Sequence, residues 1–431
     1  MLFEEITALT PDGGVMESAF VGVRDGTIAY VGDRRPEGEW GRVYDGGKRL
    51  LMPGFYNAHA HSPMTLMRGY GENLALRDWL FTRIFPFEAN IYAEAVYHAT
   101  LLAMAESFRY GIVSTSDAYF FTEDMVRAVL ESGAKANIAR SLAGVDEDED
   151  MYRMDSFAEA KRAFDEYDGA EDGRVRIDMS LHMEETSTER LARQLAEYSA
   201  KIGARMQVHM SETISEHEGC KERRGGRTPV AYFADIGLFD SPTTAAHCVW
   251  VEAEDMEIMR DKGVTVASCP ISNLKLASGV ADVPALIDVG VDVAIGTDSV
   301  ASNNSLNIIE EMKFFALLNK ERRDDPTLIT PRQSVYAATR AGALSQGRVD
   351  CGFIKEGFRA DLVVLDLSSP GMHPIFDIYS NVVYSASGSD VTLTMVDGKV
   401  VYEDGEYTTI DVERAIAETG KACADIARRT S

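Results

Sequence analysis

Two histidines separated by one residue, His59 and His61, close the apolar run Met52-Pro-Gly-Phe-Tyr-Asn-Ala-His-Ala-His61. Successive side chains on a strand alternate faces, so residues i and i+2 point the same way. Two imidazoles on one face at a strand end supply half of a metal site. With 8 histidines in 431 residues, random placement gives about 0.15 such pairs. Two solvated loop histidines are the plain alternative, and further ligands at equivalent downstream positions would decide between the two.

Those positions depend on the elements that carry them. From about residue 53 to about residue 352, short apolar strands alternate with longer amphipathic helical stretches. The strands read as Leu50–Ala58, Ile112–Asp117, Ala136–Leu142, Val175–His182, Arg205–Met210, Thr243–Cys248, Val264–Cys269 and Val291–Asp298. Helices such as Ala93–Tyr110, Thr188–Ile202, Glu254–Lys262 and Val283–Val289 lie between them. Eight strands, each followed by helical sequence, are the pattern of an α/β fold of the (β/α)8 TIM-barrel type. A doubly wound open sheet is the rival, but no G-x-G-x-x-G or P-loop follows any strand.

The two chain ends read differently. Residues 1–52 hold short strands with Asp25-Gly26 between Ala19–Arg24 and Thr27–Asp33, and a similar hairpin returns at Asp397-Gly398. Asp-Gly between alternating strands is a strong hairpin signal. The expected organisation is therefore a barrel over 53–352 and one small β-sandwich built from 1–52 and 353–431, with a terminal helix over Asp411–Arg429.

In a barrel, catalytic residues sit at the C-terminal ends of the strands. These ends carry His59 and His61 (first strand), Asp117 (second), His182 (fourth), His209 and Glu212 (fifth), His247 (sixth) and Asp298 (eighth). Five of the 8 histidines thus fall at one mouth. His59, His61, His209 and Asp298 offer three imidazoles and a carboxylate, a set suited to one Zn²⁺, with Fe²⁺ or Mn²⁺ as alternatives, and leave a position for water. Glu212, three residues after His209, is placed to shuttle a proton beside such an ion. His247 is placed to orient or deprotonate the water, and Asp298 to hydrogen-bond it. A lone strand-end His or Asp is often a satisfied core group; the whole set at one mouth argues for chemistry.

Composition sets the surroundings. The net charge of −26 and the absence of any sustained Lys/Arg cluster disfavour nucleic acid and anionic membranes as partners. The five cysteines are scattered, with no C-x-x-C, which suits a reducing compartment better than a disulfide framework. The first residues lack a basic segment followed by an apolar core, and no run reaches the length of a membrane span. The expectation is a cytoplasmic protein acting on a small molecule.

At this point the chain resembles the amidohydrolase superfamily, and within it the S-adenosylhomocysteine / 5′-methylthioadenosine deaminases, with chlorohydrolases and guanine deaminases nearby. The resemblance rests on Pro53-Gly-Phe-Tyr-Asn-Ala-His-Ala-His61, Met64–Tyr70, Trp79-Leu…Phe85-Pro-Phe-Glu88, His209-Met-Ser-Glu-Thr213 and Ala245-Ala-His-Cys248. It continues through Ser272-Asn-Leu-Lys-Leu276, Gly296–Asn304 and Gly357–Val364. It spans nearly the whole chain. It implies a distorted barrel with a sandwich from both ends, a homo-oligomer, and hydrolytic loss of ammonia from an adenine ring. It implies His59, His61, His209 and Asp298 on the metal, with Glu212 and His247 in proton transfer. It also implies substrate contacts from Glu88 to ribose hydroxyls, from His182 to the purine, and from Arg140 and Arg153 near the 5′ substituent. Glu212 and Asp298 would touch the reacting ring as well. Two-metal enzymes of this architecture bridge their ions with a modified lysine on the fourth strand. Arg176–His182 has no lysine, which favours one metal.

The sequence departs from the family in two places. Gly144–Asp150 is unusually acidic and reads as a solvated loop, and Ser299 follows Asp298 where the family often has glycine. Other readings stay open: guanine deamination or triazine amino- or chlorohydrolysis on the same scaffold, and a non-catalytic metal-binding barrel.

Overall fold

The computed structural model describes residues 1–430. Its centre is an eight-stranded parallel sheet, in chain order Phe55–Ala60, Ile112–Tyr119, Lys135–Leu142, Val175–Leu181, Met206–Met210, Thr243–His247, Thr265–Ser268 and Val293–Ile295. Strands buried on both faces read as continuous apolar runs, and the first, second and fifth are buried along their whole length. Helices fill the crossovers, and their sequences set their limits. In Glu189–Ile202, Thr188 caps the start by accepting from Leu191 N–H, Gly203 ends it at φ +71°, and Leu191, Ala192, Leu195, Ala196 and Ser199 form the buried stripe.

The barrel closes without a ladder between its last and first strands. Thr297 N–H donates to Asn57 Oδ1 (3.0 Å), Asn57 Nδ2 donates to Thr297 Oγ1 (2.7 Å), and Asp298 N–H donates to His59 O (2.9 Å). Closure needs Gly296, because a Cβ there would lie 2.9 Å from the His59 backbone nitrogen. This seam distorts the barrel and brings Asp298 against the two histidines of the first strand.

The chain ends build a second, nine-stranded, largely antiparallel sheet. Its order runs Glu406–Tyr407, Lys399–Glu403, Val391–Val396, Leu362–Asp366, Arg49–Pro53, Leu2–Leu9, Val15–Arg24 and Thr27–Gly32, with Val43–Asp45 alongside Leu2–Leu9. Both Asp-Gly turns form, joining Arg24 to Thr27 and Val396 to Lys399 with positive φ at both turn residues. The terminal helix Val412–Thr430 packs on the helix Ala93–Arg109.

One strand differs from the sequence expectation. Leu50–Ala58 reads as a single run, but it divides at Gly54. Arg49–Pro53 pairs with Leu362–Asp366 in the terminal sheet, and Phe55–Ala60 enters the barrel. Both halves are buried and apolar, so no change of periodicity marks the break. A Cβ on Gly54 would meet Val113 Cγ1 at 2.4 Å, which accounts for glycine where the chain passes between sheets.

A buried ionic cluster fastens the two sheets. Lys135 Nζ lies 2.5 Å from Asp361 Oδ2 and 2.7 Å from Asp397 Oδ1, while Tyr56 O–H (2.5 Å) and Asp397 N–H (2.8 Å) also donate to Asp361. Lys135 is 3% exposed and the Asp361 side chain is fully buried. Removing one partner of such a group strands the opposite charge out of water. Lys135→Ala is expected to lower unfolding stability by about 3–5 kcal/mol in denaturant titration. A loss below about 1 kcal/mol would show that the cluster does not hold the sheets together.

Candidate metal centre and active site

The strand ends converge on a cavity of about 550 Å³ whose wall includes His61, His182, His209, Glu212, His247 and Asp298, together with Glu88. His59 lies just behind this wall, 4% exposed. His61 Nε2 and His209 Nε2 face each other at 3.3 Å. Asp298 Oδ1 is 3.4 Å from His61 Nε2 and 3.7 Å from His59 Nε2.

The hydrogen bonds on the far side of the rings show what this arrangement requires. His61 Nδ1 lies 2.6 Å from Ala118 O, and His209 Nδ1 lies 2.7 Å from His182 O. A carbonyl only accepts, so both Nδ1 atoms carry protons and the two rings turn their Nε2 atoms toward each other. His59 Nε2 is buried with no hydrogen-bond partner. Burial, then the neighbouring imidazoles, holds the pKa of His59 and of His209 well below the ordinary histidine value. Three convergent lone pairs with a carboxylate beside them fit a divalent cation. His59, His61 and His209 form a three-ligand cluster, and Asp298 stands where a fourth ligand is needed.

The backbone at the mouth is strained. Ser211 (φ 46°), His247 (φ 71°), Cys248 (φ 50°) and Asp298 (φ 58°) are non-glycine residues in the left-handed region, each at a strand end. Such strain clusters where surrounding structure over-determines the geometry. Here Glu216, itself buried, accepts from Ser211 N–H (2.9 Å) and Glu212 N–H (2.7 Å). Val249 and Trp250 N–H donate to Ser211 O.

Glu212 Oε2 lies 3.6 Å from His247 Nε2. Burial raises the Glu212 pKa. For His247, burial opposes the charged form, but the Glu212 and Asp298 carboxylates outweigh it and raise the pKa. The two side chains thus face each other out of water, each with its pKa raised. His182 is pushed down to about 4, mainly by burial, and stays neutral. Glu88 accepts from Tyr119 O–H at 2.8 Å, and burial raises it to about 7.

The expected positions do not all meet here. Arg140 donates to Glu159 (2.7 Å) and to Ser141 O (2.6 Å), stacks on Phe120, and lies outside this cavity. Arg153 is exposed at the end of the short helix Met151–Arg153. The structure therefore brings neither arginine into the cavity: one is neutralised by a local carboxylate, and the other is carried off by the helical turn after the acidic loop. Asp146–Asp148 in that loop is exposed. Asp117 turns to structure, accepting from Ser62 N–H at 3.0 Å. Ser299 is buried in the cavity wall, 3.0 Å from Ser302 Oγ. Sequence reasoning missed Tyr119 and Glu216. Glu216 sits three residues after the N-cap Thr213 and reads as a capping box; its carboxylate reaches past the cap to the strained turn.

Comparison with known proteins agrees with this geometry. Residues 50–401 match the model of the Amidohydrolase family. The chain is 38% identical over 426 residues to a 5′-deoxyadenosine deaminase of Methanosarcina mazei, covering 99% of this chain and 98% of that one. It is 36% identical over 432 residues to a 5-methylthioadenosine/S-adenosylhomocysteine deaminase of Dictyoglomus thermophilum, covering all of both chains. The crystal structure of an adenosine deaminase from Xanthomonas campestris with bound zinc superposes with a TM-score of 0.93 at 29% identity, covering 99% of this chain and 98% of that one. A barrel with three histidines and an aspartate converging at its mouth, matched over most of its length by one family model, places this chain in the Amidohydrolase family.

Proposed function

We propose that this protein is a metal-dependent deaminase of adenine nucleosides, hydrolysing the C6 amino group to leave the inosine-type product and ammonia. The observation that carries the reading is Glu88, a half-buried carboxylate that accepts from Tyr119 O–H, in the wall of the cavity that also holds the convergent histidines. A vicinal diol offers two adjacent donors to such an acceptor, whereas a free base or triazine has no ribose to place there. The named activities of relatives similar over the whole chain support the same substrate class.

His59, His61, His209 and Asp298 would hold one divalent ion, for which Zn²⁺ is our choice on the donor set and on the zinc in the Xanthomonas structure. Such an ion, when bound, makes water nucleophilic at neutral pH. The chain's own groups do the rest. Glu212, its pKa raised by burial, protonates N1 of the ring as C6 is attacked, which relieves the charge that would build on the ring. His247 orients the water, takes one of its protons through Nε2 and gives it to the amino nitrogen as ammonia leaves. The hydroxyl proton returns to Glu212 as the C6 carbonyl forms, and Asp298 accepts a hydrogen bond from the same water. Neutral His182 contacts the purine edge from the cavity wall. The five free cysteines support a reducing compartment, for which we propose the cytoplasm.

The direct test is ammonia release by metal-replete protein from adenosine, 5′-deoxyadenosine, methylthioadenosine, S-adenosylhomocysteine, guanine and a chlorotriazine. Turnover of the adenine nucleosides with guanine inert is expected; activity on guanine alone would overturn the substrate. Glu212→Gln is expected to keep full metal content by elemental analysis and to lose at least about 10³-fold in kcat. Near-normal turnover in that variant would remove Glu212 from proton transfer. The third test is the pH dependence of KM. Glu88 is protonated below about pH 7, so it loses acceptor capacity as the pH falls through that value. KM for nucleosides is therefore expected to rise toward pH 6 and level off above pH 8, and Glu88→Gln should abolish the dependence. A flat wild-type KM across this range would remove Glu88 from substrate binding.

A further inference from the structure

The seventh strand, Thr265–Ser268, contributes no residue to the reaction as described, yet the short helix and turn that follow it reach into the site three times. Pro270–Lys275 is a six-residue helix, continued by a turn in which Ser278 N–H donates to Asn273 O at 2.8 Å. From this excursion, Ser272 O–H donates to Asp298 Oδ2 at 2.5 Å. Asn273 Oδ1 lies 2.9 Å from His247 Nδ1. Ser278 O–H donates to Glu212 Oε1 at 3.2 Å. Ser272, Asn273 and Ser278 are 0%, 2% and 3% exposed.

Each contact fixes a proton or a lone pair. Asn273 Oδ1 can only accept, so His247 carries a proton on Nδ1 and Nε2 is the nitrogen left to exchange a proton, facing Glu212 Oε2 3.6 Å away. Ser278 occupies one Glu212 oxygen and leaves the other to exchange a proton with its surroundings. Ser272, joined by Ser302 O–H at 2.8 Å, takes Asp298 Oδ2 and leaves Oδ1 facing His59 and His61. The excursion is tied down in turn: Trp250 Nε1–H donates to Ser278 O (2.8 Å), and the buried Glu311 accepts from Ile271 N–H (3.2 Å).

We infer that residues 272–278 form one positioning element that sets the tautomer of His247 and the free oxygens of Glu212 and Asp298 together. This inference rests on the proposed deamination for its kinetic consequences, though not for its structural ones. The three side chains touch no reacting atom; they act through the residues that do.

The test uses the metal-loaded, full-length enzyme with Asn273→Ala, Ser278→Ala and the conservative Ser278→Thr. Preorganised hydrogen bonds contribute mainly in the transition state. kcat is therefore expected to fall about 10²-fold in Asn273→Ala and about tenfold in Ser278→Ala. KM should stay within about threefold, and Ser278→Thr, which keeps the hydroxyl, should recover most of the loss. Affinity for the inosine-type product should be unchanged, while affinity for a tetrahedral purine-hydrate analogue should fall in step with kcat/KM. Independently of turnover, ¹⁵N-histidine NMR should show His247 as the Nδ1–H tautomer in the wild type and as a tautomer mixture in Asn273→Ala. An unchanged tautomer with kcat within threefold of wild type would reduce the segment to a cavity wall. Should the wild type deaminate no nucleoside, the proposed reaction fails, and the NMR result still decides the positioning role.

Discussion

The structure depends on bringing three imidazole lone pairs and a carboxylate together out of water. The backbone carbonyls of Ala118 and His182 hold the outward nitrogens of His61 and His209, and among the described residues no hydrogen bond reaches the buried His59 Nε2. The rest of the barrel mouth is arranged to hold these groups together. The seam between the eighth and first strands is pulled tight at Gly296, and Asp298 takes a left-handed backbone to face the histidines. Strain of about 1–3 kcal/mol per such residue is affordable only because the surrounding sheet is rigid and buried.

That rigidity comes partly from outside the barrel. The terminal sheet draws on residues before and after the barrel, so its assembly fixes both ends of the barrel segment. Lys135, Asp361, Asp397 and Tyr56 tie it to the first and third barrel strands through a cluster centred on the buried Lys135–Asp361 pair. Such a cluster adds less net stability than an apolar contact of the same size, but it is unforgiving of misregister, since any slip leaves an unpaired buried charge. The network holds the strand that ends in His59 and His61.

Much of this was legible in the sequence, for physical reasons that also mark where legibility stops. Parallel strands entering a barrel share one end, so histidines at the ends of successive strands converge whatever the loops do. His59, His61, His182, His209, His247 and Asp298 could therefore be placed together from periodicity alone. Arg140 and Arg153 could not be placed in this way. One lies near the end of a strand with a glutamate partner supplied from the distant helix at Glu159, and the other follows a loop whose length the sequence does not relate to the cavity. The division at Gly54 was hidden because burial on both sides erases alternation. Glu216 and Ser278 were hidden because an N-terminal helix glutamate and a turn serine have ordinary local uses. Only three-dimensional contact distinguishes the ones that brace Glu212.

The two halves of the site are supported in different ways, and the difference bears on how the scaffold works. The outward nitrogens of His61 and His209 are held by main-chain carbonyls, of Ala118 on the second strand and of His182 directly after the fourth, so their orientation is a property of the sheet itself. The proton-handling groups are held by side chains: Glu212 by Ser278, His247 by Asn273, and one oxygen of Asp298 by Ser272 and Ser302. A main-chain brace survives side-chain substitution, whereas a side-chain brace can be altered one residue at a time. The proposed ligand nitrogens of His61 and His209 are thus tied to the fold, while the groups proposed to handle protons are braced by Ser272, Asn273 and Ser278 on one short excursion after the seventh strand. Asp298 joins the two, because its N–H closes the seam on His59 O while its carboxylate is set by Ser272 and Ser302.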